Sequence, residues 1–390
     1  MVLPACGSTT SGGRSDDQPG SGANHGAQAS TAGSGGATSA GTGGSASTGA
    51  PSVGGKTTVE PDPMAAGEGP GPLVDPAPGG YAEAAELLAA NSEMAVAELA
   101  GKIYVMGGYP SSRQVQDTVQ VYDAALDTWE LSVPLPLPLH HPVAVGVAGR
   151  VVSFGGQLAD DSGSAGDAAT NRTLAFDPET PDAGWVDLEP MPTARGGGAA
   201  AVIGSKVYVV GGRPPAGNAF EVYDVEQDSW LPLPDLPQAL PDRNHLAATA
   251  IDGKVYVAGG RYMGGSFSSP LTDSLDIFDP ATGEWSQGAP MLRPRGGVNG
   301  IAVDGCFYVW GGEGADTGLL RDVFPNLDLY SPSEDTWTAL ADLPTPIHGV
   351  TGAASVGGLI FMPGGGTMQG GNSGSTVFQV YRPEFRCQAQ

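Results

Sequence analysis

The chain has 390 residues, with 42 acidic against 17 basic side chains and a net charge of −25. That balance argues against DNA, RNA or an anionic membrane surface as a partner. No stretch is long and apolar enough to span a bilayer as a helix.

Residues 7–55 are built from Gly, Ser, Ala and Thr and contain no Leu, Ile, Phe, Tyr, Trp or Met. Such a tract cannot bury enough apolar surface to offset the entropy of ordering. Residues 56–80, rich in Pro and Gly, extend it. As a flexible chain, residues 7–80 reach about 45–50 Å r.m.s.. The tract follows Cys6 directly, and the start MVLPACGSTT, with Leu3 at −3 and Ala5 at −1, resembles a bacterial lipoprotein junction. The charged and apolar regions expected upstream of Leu3 are missing, which a truncated gene start explains; otherwise Cys6 is a small residue in a disordered tail. Read as a lipobox, Cys6 carries a lipid and tethers a secreted or cell-envelope domain outside the cytoplasm, its one contact with a membrane.

From residue 81 the chain repeats. A short apolar strand ends in a double glycine six times, with the first glycine at Gly107, Gly155, Gly211, Gly259, Gly311 and Gly364, in steps of 48, 56, 48, 52 and 53 residues. A variable polar loop follows each pair. Next comes an aromatic strand, as in VQVYD ending at Asp123, FEVYD at Asp224 and LDIFD at Asp279. Five repeats then carry a tryptophan: Trp129, Trp185, Trp230, Trp285 and Trp337. A Pro-rich exit (EPMPTAR, APMLRPR, ADLPTPIH) leads to small apolar runs such as AAAVI and LAATA. A period near fifty made only of strands predicts a β-propeller. Glycine pairs allow close backbone approach, the Asp starts a turn by bonding the backbone two residues on, and each Trp fills a wedge between blades. The small apolar runs are expected on the axis, buried on both faces, and Trp310 in the core.

Double Gly, Tyr/Phe-Asp and Trp in register over residues 81–387 resemble the kelch repeat. The resemblance implies an all-β fold, a six-bladed propeller, with residues 1–80 as tether and 388–390 as tail. Six double glycines but five tryptophans leave the last blade short of an outer strand. Residues near 81–88 are expected to supply it, with Tyr81 at the Trp position and Asn91 at the position of Arg195. Sewing both ends into one blade removes an open sheet edge. Strand order also puts Cys306 and Cys387 at one end of neighbouring blades, where a disulfide is open but its distance is not fixed by sequence.

Antiparallel strand order, with strands a to d from axis to rim, gathers the b–c loops and d–a crossovers on one face. Arg113, Arg213, Arg261 and Arg321 fall in the loops and Arg195, Arg243, Arg293 and Arg295 in the crossovers, eight of thirteen arginines. His140, His141, His245 and His348 join them. Arg195, Arg243 and Arg295 share one register, which predicts a framework role on backbone carbonyls. The loop arginines lack an evident register and are expected either to bind an anionic group, such as an acidic glycan or protein loop, or simply to be solvated.

Signatures of chemistry are few. Kelch-type sialic-acid mutarotases are similar in architecture, and Glu93 and Glu313 are the carboxylates available for such proton shuttling. The cysteines do not fall near a constellation like the copper site of galactose-oxidase relatives. His141 and His245 lie in blades two and four, a separation expected to be too large for one ion. No phosphate-binding loop, nucleophile elbow or dinucleotide fingerprint is present, and neither cofactor nor metal is expected. The reading is a monomeric extracytoplasmic binding module for a protein or acidic glycan. Its candidate ligand residues are Arg113, Arg213, Arg261, Arg321, Arg195, Arg243, His245, Arg293, Arg295 and His348. The alternative is a sugar mutarotase or epimerase.

Overall fold

A computed structural model describes residues 73, 75–237, 240–264, 269–315, 318 and 322–387. Cys6 and Arg321 lie outside them. Among the described residues the elements are strands, with a short 3₁₀ turn at Pro181–Ala183. Six sheets account for most of them, one per double glycine, each with four antiparallel strands; the first also pairs Met94–Leu99 in parallel with Val350–Thr351. In the third, Ala199–Ile203, Lys206–Val210, Phe220–Asp224 and Ser229–Pro232 follow one another from axis to rim. The six innermost strands touch in sequence: Met94–Leu99, Val143–Val147, Ala199–Ile203, Ala247–Ile251, Asn299–Val303 and Ala354–Val356, which returns to Met94–Leu99. The kelch-type propeller is closed.

Closure uses the N-terminal strand. Tyr81–Glu83 pairs with Gln379–Tyr381 as the outer strand of the sixth blade. The ladder is shorter than residues 81–88, because Ala84 and Leu87 turn into the core beside Phe378. Tyr81 lies opposite Tyr381 as Trp129 lies opposite Tyr122 and Trp337 opposite Tyr330. Each Trp Nε1 donates to a carbonyl of the preceding exit: Trp129 to Ala85, Trp185 to Val133, Trp230 to Glu189, Trp285 to Pro234 and Trp337 to Ala289. Tyr81 completes the set through its hydroxyl, which donates to the Ala341 carbonyl at 2.9 Å. An aromatic ring wedged between blades with its polar tip satisfied is stable both as buried area and as a hydrogen bond.

The glycine pairs fasten the axial side. In every blade the second glycine donates its N–H to the carbonyl of the following crossover: Gly108 to Leu139, Gly156 to Arg195, Gly212 to Arg243, Gly260 to Arg295, Gly312 to Ile347 and Gly365 to Asn91. A Cβ on Gly155 or Gly211 would collide with that carbonyl, and the first glycine of each pair has φ between 59° and 65°. Glycine alone meets both demands at low cost.

Three crossovers then reach forward. Arg195 donates to the Gly211 and Ala219 carbonyls and to Glu221, Arg243 to Gly259, Ser274 and Asp276, and Arg295 to Gly311, Asn326 and Asp328. All three guanidinium groups are fully buried. Asn91 takes the same place in blade one and donates to the Gly107 carbonyl at 2.6 Å.

Two expectations need correction or completion. The innermost strands are not sealed on both faces throughout, since Ala97, Ala144, Ala200, Ala248, Gly300 and Ala353 help line an axial cavity of about 260 Å³. Side chains this small cannot meet across the axis. Cys306 and Cys387 are joined in a disulfide, with Cα atoms 5.1 Å apart. Trp310 is core, as expected.

Arg295→Ala strands the buried Asp328 carboxylate, so urea unfolding is expected to show a loss of about 3–5 kcal/mol. Replacing both partners, as Arg295→Met with Asp328→Leu, should recover most of it; a parent-like melt for Arg295→Ala alone refutes the framework role. Removing residues 1–72 should leave the melting temperature near that of the full chain. Removing residues 1–90 should lower it by exposing the edge at Gln379–Tyr381.

Candidate functional site

Beyond each crossover staple the backbone makes the same three-residue step. The residue after the staple pairs with the residue after the double glycine: Ser92 with Tyr109, His140 with Gln157, Asn244 with Arg261, Gly296 with Glu313 and His348 with Gly366. In blade three Arg213 N–H donates to the Gly196 carbonyl. The loop positions Tyr109, Gln157, Arg213, Arg261, Glu313 and Gly366 therefore do share a register, although the loops beyond them differ.

The next residue reaches the axis. Glu93, His141, Gly197, His245, Gly297 and Gly349 all have φ between 54° and 70°. Their backbones hand hydrogen bonds from blade to blade: His141 N–H donates to the Glu93 carbonyl, Gly197 to His141, His245 to Gly197, Gly297 to His245 and Glu93 to Gly349. Left-handed backbone is cheap for glycine and costs of order 1–3 kcal/mol elsewhere. Three of these six positions bear that cost, and those three carry Glu or His.

Their side chains converge. His141 Nε2 is 2.8 Å from Glu93 Oε2 and 3.1 Å from His245 Nε2, and His245 Nε2 is 3.9 Å from the same Glu93 oxygen. This overturns the expectation that His141 and His245 are too far apart. Blade separation is large at the rim and vanishes at the axis, and a Cβ on the intervening Gly197 would fall 3.2 Å from the His245 ring. His140 stacks edge-on against His141. Beside this group Arg261 donates to Glu313 Oε1 at 2.7 Å, Gly370 N–H to Glu313 Oε2 at 2.6 Å, and His348 Nδ1 lies 3.6 Å from Glu313 Oε1.

The electrostatics are those of a buried polar plug. Burial opposes a charge on Glu93, and only protonated imidazoles at His141, His245 and His348 would hold its carboxyl well below the usual carboxylate range. Glu313 is held low, against burial, by His348 and Arg261. Burial pushes His141 down despite Glu93, and pushes His245 far down with help from Arg261 and Arg213. His140 is pushed down to about 3, by burial and then by His141.

The candidate residues thus separate. Arg195, Arg243 and Arg295 are consumed in the blade junctions and cannot touch a ligand. Arg261 is 1% exposed, contrary to its reading as a solvent-facing loop arginine, because its in-register position folds it onto Glu313. Arg213 is half-buried and donates to Gln157 Oε1 at 2.9 Å. Arg113, over the Tyr109 ring at 5.4 Å, and Arg293 are exposed. His245, His348, Glu93 and Glu313 are buried together. Sequence reasoning left out Tyr109, Gln157 and Asn244; position directly after a double glycine, or one past a staple arginine, was the signal available.

A histidine neutral in the folded chain charges more readily in the unfolded one, near pH 6.5. Its folded value is lowered, so its stabilisation is complete above pH 6.5 and is lost as pH falls toward the folded value, about 3 for His140. In EDTA-containing buffer the unfolding free energy from urea titration is expected to fall between pH 7 and pH 5, with a slope that approaches about 1.4 kcal/mol per pH unit for His140. His140→Gln should flatten the slope; a pH-independent midpoint contradicts the neutral assignment.

Comparison with known proteins agrees with the geometry. The KLHDC2/KLHL20/DRC7 kelch-repeats domain matches residues 89–260 and 140–365. Kelch-like protein terF of Aspergillus terreus is 29% identical over 309 residues, 75% of this chain and 64% of that protein. Kelch-like protein 36 of Bos taurus is 28% identical over 71% of this chain and 44% of its own length, and beta-scruin of Limulus polyphemus 24% identical over 69% and 24%. The chain thus spans less than two thirds of each of these relatives. The solved structure described as that of YjhT superposes with a TM-score of 0.62 at 16% identity, over 75% of this chain and 95% of that one, a likeness of fold. A kelch profile matched across most of the sequence, on a closed ring whose junctions are its glycine pairs, places the chain in the kelch-repeat family.

Proposed function

We propose that this propeller is a non-catalytic binding module that docks a protein or an acidic glycan on the face of its b–c loops and d–a crossovers. The carrying observation is the burial of both carboxylates considered for catalysis: Glu93 is 4% and Glu313 3% exposed. A proton shuttle must meet its substrate, and these groups are spent on one another's neighbours. That face offers Arg113 and Arg293 to solvent beside the carboxylates of Asp117, Asp160, Asp161 and Asp167, with the apolar Leu240, Met263, Leu292 and Met368 on the same set of loops. Arginine and methionine are enriched at binding surfaces. The Cys306–Cys387 disulfide supports an oxidising, extracytoplasmic setting, and Cys6 is the proposed point of lipid attachment.

A mutarotase-type enzyme is the second reading, favoured by the 2.7 Å Arg261–Glu313 contact. It would need the segment around Gly370, which donates to Glu313, to move aside.

Two measurements test this. Ligands found by glycan array and by affinity capture should bind the double variant Arg113→Ala, Arg293→Ala more weakly, by about 0.2–1 kcal/mol per exposed contact, with an unchanged melting temperature. Anomer exchange of N-acetylneuraminic acid followed by NMR should run at the buffer rate; acceleration abolished by Glu313→Gln would replace the binding reading with the enzymatic one. For the location, membrane association of the natively expressed chain should be lost in Cys6→Ala.

A further inference from the structure

The outer partners of the axial histidines fix where their protons sit. His140 Nε2 faces the Gly166 carbonyl at 2.9 Å, so it carries the proton, and a neutral His140 presents a lone pair at Nδ1. His141 Nδ1, 2.6 Å away, must donate to it. That leaves the lone pair of His141 on Nε2. On the other side Asn244 donates its amide N–H to the Asp242 carbonyl at 2.6 Å, which turns Oδ1 toward His245 Nδ1, also at 2.6 Å. His245 therefore donates from Nδ1 and keeps its lone pair on Nε2. Both nitrogens that keep a lone pair lie within 4 Å of the same carboxylate oxygen. Glu93 Oε2 is buried and receives no well-formed hydrogen bond, although two imidazole nitrogens lie 2.8 and 3.9 Å from it.

Three acceptors around one point repel each other unless a cation sits among them. Their separations, 2.8, 3.1 and 3.9 Å, bracket the roughly 3.3–3.5 Å edge of a tetrahedron with metal bonds of about 2.0–2.1 Å. Each histidine donates its other ring N–H to an oxygen or nitrogen held by the fold, the arrangement that orients metal-bound imidazoles. Gly197, which lacks the Cβ that would press on the His245 ring, leaves that ring room beside His141.

We propose that Glu93, His141 and His245 form a binding site for one divalent transition-metal ion of the zinc class. Two imidazoles and one carboxylate suit such an ion, and three protein ligands leave a coordination position for water or a ligand group. The site stands independently of the docking reading, since it is assembled by the blade junctions and not by the exposed loops.

The probe is cobalt(II), added to the EDTA-stripped, gel-filtered full chain. The expected result is a visible ligand-field absorption that saturates at one equivalent, is displaced by zinc(II), and comes with a rise in melting temperature. His245→Gln and His141→Gln should abolish it. His25→Ala and His348→Gln should not, which separates the site from adventitious binding elsewhere. Asn244→Ala keeps all three ligands and loses only the orienting contact, so affinity should fall about 10–100-fold. A folded, stripped chain that gives no cobalt spectrum overturns the proposal in favour of a proton shared by His141 and Glu93. So does a spectrum that survives in both His141→Gln and His245→Gln.

Discussion

The rest of the molecule hangs on one backbone contact made six times, the carbonyl of a crossover residue held by the second glycine of the preceding blade. The contact is buried, and an unsatisfied carbonyl there would cost about 1–3 kcal/mol. It also sets a distance that a Cβ would spoil. Where the crossover residue is arginine, its carbonyl is bound by one blade and its guanidinium by the next. Arg195 joins Gly156 to Gly211, and Arg295 joins Gly260 to Gly311. Neighbouring blades are stapled through a single residue, and the staple fixes the chain direction just before it enters the axis.

That direction has a consequence for the axial end. Two residues past the staple the backbone must turn left-handed to start the innermost strand, and there are only six such places. Glycine at all six would be the least strained solution. The chain has three glycines and uses the other three for Glu93, His141 and His245. Strain is thus borne where a carboxylate and two imidazoles are brought together, as it is in several turns between the blade strands.

Much of this was legible from repeat register. Tyr81 in the tryptophan position and Asn91 in the arginine position follow from aligning the exits, and each makes the hydrogen bond its counterparts make. The acidic partners were equally readable and were missed. Glu221, Asp276 and Asp328 stand second in their third strands, in the three blades entered from an arginine crossover. Where the crossover residue is Asn91, the second position is Gln120, which bonds the Ala89 backbone. Where it is Leu139, the position is Leu174, and both are core. Two errors had one origin. Treating blades as well-separated units kept His141 from His245, and treating loops as free of register put Arg261 in solvent. Register persists one residue past the double glycine, and distance between blades shrinks to nothing at the axis.

The two ends of the axis are therefore different environments. At one, Ala and Gly line an open cavity of about 260 Å³, because innermost strands this close together admit only small side chains. At the other, the same strands begin with carboxylate and imidazole groups that converge on the axis. Burying Glu93 and Glu313 costs several kcal/mol each unless hydrogen-bonded and paired, and their neighbours come from other blades: His141 and His245 beside Glu93, and Arg261, His348 and Gly370 beside Glu313. Such a plug is tolerable only in a ring whose diameter is already fixed. The glycine contacts, the arginine staples and the Trp–carbonyl bonds at the rim fix it independently of the plug. Sequence changes among the axial residues can thus alter what that end binds while leaving the propeller itself in place.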